Sequence, residues 1–163
     1  VFNAVLDARA RAGTLAALVD GDLAWKHDSG AVFAVDGAVL EDPTTADRLS
    51  ALAISPSGPM WGASMMRAKG AVDEAEVAAL AGSGVTLDQL EAFGARYRDP
   101  IPGKRRPLRV PLRLPDVEGG SDEHGVYVRC AFELPAGSFA TVVLREVMKP
   151  DRVASLEPEG ARA

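Results

Sequence analysis

Apolar residues recur at spacings of three and four from Phe2 through Val5 and Leu6 to Arg9 and Gly13, which predicts a short amphipathic helix ended by glycine. The pattern then changes. Asp22–His27 and Ala31–Val35 are β-prone runs around Asp28-Ser29-Gly30, a turn composition, and predict a hairpin. Asp42 with Pro43 predicts a helix entry, the proline tolerated because a first-turn N–H has no partner anyway, and this helix runs to about Leu49–Leu52. Ile54–Gly62 holds two prolines and two glycines, so it is expected to be a shaped loop after a short strand. Asp73–Leu80 has helical spacing and an acidic first turn, Gly82-Ser83-Gly84 breaks it, and Thr86 caps a second helix through about Phe93.

Beyond Pro100-Ile101-Pro102-Gly103 the period becomes two. Leu108–Leu114 alternates apolar and Arg side chains and predicts a strand with one wet face, with a domain boundary between 107 and 116. Glu118–Gly125 is expected to be a polar loop and Val126–Leu134 an alternating strand. Pro135 and Gly137 turn the chain into a helix over Ser138–Lys149, capped at Ser138, with a frayed tail from Pro150.

The 163 residues, 47% of them hydrophobic, can bury a real core. No apolar run reaches the ~18 residues of a membrane helix, and Val1-Phe2-Asn3-Ala4 is not ordered like a signal peptide, so a soluble, cytoplasmic protein is expected. One cysteine, Cys130, forms no internal disulfide, and with only His27 and His124 beside it no metal site is expected. The net charge of −5 argues against a general nucleic-acid binder, yet Lys104, Arg105, Arg106, Arg109 and Arg113 crowd into ten residues. That stretch either follows a phosphate backbone or forms the solvated face of an edge strand; composition does not decide.

Self-contained catalytic motifs are missing: the chain has no Gly-x-Ser-x-Gly elbow, phosphate-binding glycine loop or His-x-x-x-His pair. His27, Asp28 and Ser29 are adjacent on a turn, where their side chains diverge, so they predict a surface hairpin rather than a relay. His124, in a Gly/Asp/Glu loop, is expected to be solvated. The segment Leu134–Lys149 is the most informative, because it puts Phe139 at a strand-to-helix junction that presents main-chain N–H groups and an aromatic face. Phe139 either fills the core or meets a ligand, and Arg145 and Glu146 either pair with each other or with neighbours on the sheet.

The residues Phe2-Asn3 with Arg9, Gly21–Phe33, Ile54–Gly62, Arg105–Pro111, Leu134-Pro135, Ser138–Thr141 and Leu144-Arg145-Glu146 resemble, in this order, the TruD-type tRNA pseudouridine synthases. The resemblance covers the chain to about Lys149 but only the C-terminal part of such a protein. It implies an α+β fold: a pseudouridine-synthase-like mixed, mostly antiparallel sheet, present in part, plus the α/β insertion lobe of the family. Residues 1–110 would be mostly that lobe, its first helix bordering the catalytic domain, 111–150 the returning strands and helix of the catalytic domain, and 151–163 a tail.

The activity implied is isomerisation of a uridine in the D arm of tRNA, at position thirteen in bacterial members, without cofactor or metal. An Asp attacks, the glycosidic bond breaks, and the base, taken out of its stack, is rejoined through carbon five. By the resemblance Phe139 contacts the substrate, Arg145 and Glu146 brace the active-site wall, and Lys104, Arg105, Arg106 and Arg109 meet RNA phosphates. The nucleophilic Asp belongs to a Gly-x-Lys-Asp segment upstream, and this chain, which begins at Val1, contains no Lys-Asp dipeptide. The expectation is a C-terminal portion that is inactive alone and works with tRNA and the missing N-terminal part. The alternative is a non-catalytic RNA-binding module.

Overall fold

A computed structural model describes residues 1–98 and 101–148. The chain divides into two compact units, Val1–Val110 and Pro111–Ala163. In the first, α1 (Phe2–Arg11) precedes the hairpin of β1 (Leu23–Lys26) and β2 (Val32–Ala34), as the periodicity predicts. Gly30, at φ 71°, closes the turn through a bond from its N–H to the Lys26 carbonyl. Two short helices follow, α2 (Gly37–Glu41) and α3 (Thr44–Ser50), and then β3 (Ile54–Met60), α4 (Gly70–Ala81), α5 (Leu87–Tyr97) and β4 (Lys104–Pro107). Helix α2 was not expected from the sequence; Asp36 caps it by accepting from the Val39 N–H at 3.1 Å. At α5 Thr86 and Gln89 form the reciprocal capping box.

The sheet order is β2-β1-β3-β4, antiparallel throughout. This corrects the expected loop at Ile54–Gly62, because β3 is a central, buried strand despite Pro56 and Pro59. Both prolines sit where the ladder asks for no donor. Pro56 accepts from the Leu108 N–H just past the end of β4, and Pro59 lies beyond the last β1 pair, Ala24 with Pro56. Pro107 is on the edge strand β4. Leu18, Ala24, Val35 and Ile54 form the core, with Phe33, Val39 and Leu49 packed against it.

The second unit holds the hairpin of β5 (Arg113–Asp122) and β6 (Gly125–Glu133) and then α6 (Ala140–Met148). Two expectations are corrected here. Residues 108–112 are not a strand, which instead forms one step earlier, at Lys104–Pro107, where β3 offers a partner. Glu118–Asp122 is not loop but the end of β5, paired up to Asp122 with Gly125. Gly120 permits that pairing, since a Cβ there would lie 2.4 Å from the Tyr127 ring covering it. Glu118 also pairs with Arg129 across the strands at 2.5 Å. The turn is thus only Glu123-His124, held by Asp122 Oδ1 accepting from the His124 N–H.

Candidate functional site

The junction around Phe139 forms because Gly137, at φ 84°, lets the Ser138 N–H reach back to the Pro135 carbonyl at 3.1 Å. The Phe139 carbonyl then accepts from the Val142 N–H at 3.0 Å and opens α6. The helix therefore starts at Ala140 rather than at Ser138, and Phe139 stands at its entrance with 68% of its surface exposed. Burial of this ring in a core is excluded for the chain described. Arg145 and Glu146 are exposed one and a half turns further on, and Lys149 falls outside the described residues. Val142, Val147 and Met148 of α6 are exposed as well, and so are Leu114, Val117, Val126 and Val128 of the hairpin. Apolar side chains exposed in such number are ordinarily covered by another part of a protein.

The basic stretch divides in two. Arg105 is 4% exposed, and its guanidinium is committed: Nη1 and Nη2 donate to the two Glu76 oxygens at 2.7 Å each, Nε to Ser57 Oγ at 3.1 Å and Nη2 to the Ser57 carbonyl at 2.7 Å. The expected phosphate contact for Arg105 is corrected accordingly, since its alternate position along β4 turns it toward α4 instead of solvent. Arg109 is half-buried; its Nη2 donates to the Leu49 carbonyl at the end of α3 and to the Ile54 carbonyl at the start of β3, and burial holds its pKa below the usual guanidinium value. That geometry makes it a brace for the lobe. Lys104 is exposed, and Arg106 lies 5.2 Å over the Phe2 ring. The stretch is therefore both structural and surface, residue by residue.

Sequence reasoning missed the partner of Arg105. A signal was present: Val72, Glu76 and Leu80 share one helical stripe, and a carboxylate in an apolar stripe needs a buried cation. It also missed a second pair, in which Arg9 forks onto Asp22 at 3.1 and 3.0 Å while Asp22 accepts from the Val19 N–H. His27 binds Ser55 Oγ at 2.9 Å through Nε2, whereas Ser29 bonds Asp28, so the three adjacent turn residues form no relay. Burial and the Arg109 charge lower the His27 pKa. His124 is solvated, as expected. Among the described residues no cluster of three or more His, Cys, Asp or Glu is placed to hold a metal ion, and no helix is long and apolar enough to cross a membrane.

Residues 1–147 match the family described as tRNA pseudouridine synthase D (TruD). The chain belongs to this family. It is 44% identical over 141 residues to the tRNA pseudouridine synthase D of Syntrophotalea carbinolica, an alignment covering 86% of this chain and 33% of that protein. To a Thermus thermophilus protein of the same name it is 38% identical over 161 residues, 99% of this chain and 40% of that one. The crystal structure of a TruD protein from Methanosarcina mazei superposes with a TM-score of 0.71 at 28% identity, covering 91% of this chain and 35% of the other. The α+β fold is thus that of the family, and the chain spans about a third of the length of the curated relatives it matches.

Proposed function

We propose that this chain is the C-terminal portion of a tRNA pseudouridine synthase and carries one wall of its uridine pocket. The observation that carries the reading is Phe139: a family position for substrate contact, held by a Pro/Gly turn at the mouth of α6 with its ring open to solvent. An exposed aromatic at a rigid junction can hold a flipped uracil face to face. Arg145 and Glu146 line the same helix, Lys104 and Arg106 supply charge for phosphates, and Arg105 and Arg109 keep the lobe in shape. Residues 1–110 are mostly the insertion lobe, with the first helix bordering the catalytic domain, and 111–150 are the C-terminal strands and helix of the catalytic domain. The nucleophilic Asp comes from the upstream part, whose strands and helices cover the exposed apolar surface of β5, β6 and α6. The work is done on tRNA in the cytoplasm, without cofactor or metal.

The test is release of the carbon-five hydrogen from tRNA uridine by the protein with whatever its gene encodes upstream of Val1. Phe139→Ala lowers kcat/KM about ten- to a hundredfold, the worth of one stacked base, in a variant whose circular dichroism at the assay temperature matches the wild type. Unchanged turnover overturns the role of Phe139. An absence of hydrogen release, together with tRNA binding that weakens steeply with salt, would identify the non-catalytic RNA-binding module instead.

A further inference from the structure

Helix α5 faces its own unit along Leu87, Leu90 and the buried Gly94, and Glu91 interacts with Arg67. Beside this face, spacings of three and four gather Gln89, Phe93, Arg96 and Tyr97 into one stripe, Tyr97 standing nearly in line with Leu90 seven positions back. Phe93 and Tyr97 are 40% and 52% exposed, their ring centroids 4.7 Å apart. The Arg96 guanidinium lies 5.5 Å over the Tyr97 ring, and Arg98 follows, exposed, at the C-terminal end. Among the described residues of α5 no carboxylate shares the stripe, for helical geometry sends Asp88 and Glu91 to other sides, and Asp99, next to Arg98, lies outside the described residues. In a chain of net charge −5 such a segregated cationic and aromatic surface is uncommon.

Paired rings with guanidinium groups beside them complement a partner that has flat, unsaturated rings and negative charge together, which is the chemistry of nucleotides. We propose that the α5 stripe, Phe93, Arg96 and Tyr97 with Arg98, is an RNA-contact surface on which unpaired nucleotides of the substrate stack while the two arginines meet their phosphates. This rests on the proposed function, since that reading supplies the RNA, and it adds to the lobe a task beyond shape.

The experiment measures the affinity of unmodified tRNA transcript and the rate of uridine conversion in the protein with its upstream part. Phe93→Ala/Tyr97→Ala weakens binding about tenfold with an unchanged salt slope. Arg98→Gly is the decisive variant. Arg98 holds a left-handed conformation, φ 56°, that glycine adopts more easily, so the fold keeps or gains thermal stability while binding weakens and the salt slope falls by about 0.7 to 0.9 for one lost phosphate contact. Unchanged tRNA affinity in variants of a protein that still converts uridine overturns this inference alone, whereas a wild type that neither binds nor converts tRNA overturns the proposed function with it. Loss of self-association or of a protein partner, with tRNA affinity intact, would assign the stripe to protein contact and overturn it too.

Discussion

Arg105 and Glu76 meet in a two-pronged ion pair, 2.7 Å on each arm, with both side chains 2% exposed. The pair ties β4 to α4, and Ser57 of β3 completes it by accepting from Nε while donating its own hydrogen to the Leu23 carbonyl at 2.6 Å. Three strands and a helix therefore share one buried polar network. Each strand is short, so the network fixes their register where few apolar contacts could.

Breaking one side of that pair strands a buried charge. Glu76→Gln or Arg105→Ala is expected to cost about 3–5 kcal/mol in urea unfolding, and Arg105→Lys nearly as much, because an ammonium cannot fork onto two oxygens. Replacing both partners, Glu76→Leu with Arg105→Met, restores most of the loss, since no charge is then left unpaired. Equal losses in the single and double variants would show that the pair acts through packing alone.

Gly21 is a second point where the lobe depends on one residue. Its φ of 86° is left-handed, and an added Cβ would lie 2.3 Å from the Lys69 carbonyl oxygen, a backbone atom that cannot rotate away. That carbonyl cannot retreat cheaply, because the Lys69 N–H donates to the Gly21 carbonyl at 2.9 Å. Gly21→Ala is expected to destabilise by more than about 2 kcal/mol, and Gly13→Ala, left-handed but with open space around it, by only about 1. Similar losses at both sites in thermal unfolding would remove the close approach from the explanation.

What was legible in the sequence was what local chemistry decides. Gly30 and the alternating runs around it gave away the first hairpin, Thr86 and Gln89 the start of α5, and the segments from Gly21 to Glu146 the family. Features set by distant neighbours were hidden. Pro56 and Pro59 look like loop residues until β1 and β4 are seen to stop where the missing N–H groups fall. Glu118–Asp122 looks polar and flexible until Tyr127 is placed over Gly120. Arg105 looks like its basic neighbours, and only the alternation of β4 together with Glu76 in the stripe of α4 separates it from them. For the site, Phe139 was readable as a candidate, but its exposure required the turn at Gly137.

His27 gives the lobe a pH dependence that can be isolated. Its ring is half-buried, Nε2 bonds the fully buried Ser55 hydroxyl, and burial followed by the Arg109 charge disfavours the imidazolium, so its folded pKa lies below the ordinary value near 6.5. Between the folded pKa and 6.5 the unfolded chain holds more protons at this site than the folded one, so stability falls as the pH drops through that window and levels off below it. Asp28 and Asp42, whose pKa values are lowered by hydrogen bonds to Ser29 and Thr44, act in the same direction but only below about pH 4. The two windows therefore separate. His27→Gln is expected to flatten the fall in unfolding midpoint between about pH 7.5 and 5.5 relative to the wild type while leaving the acid limb below about pH 4 in place. Arg109→Gln removes the cation and shifts the His27 titration upward, as followed by its ring proton resonances; a titration that does not move would assign the whole shift to burial.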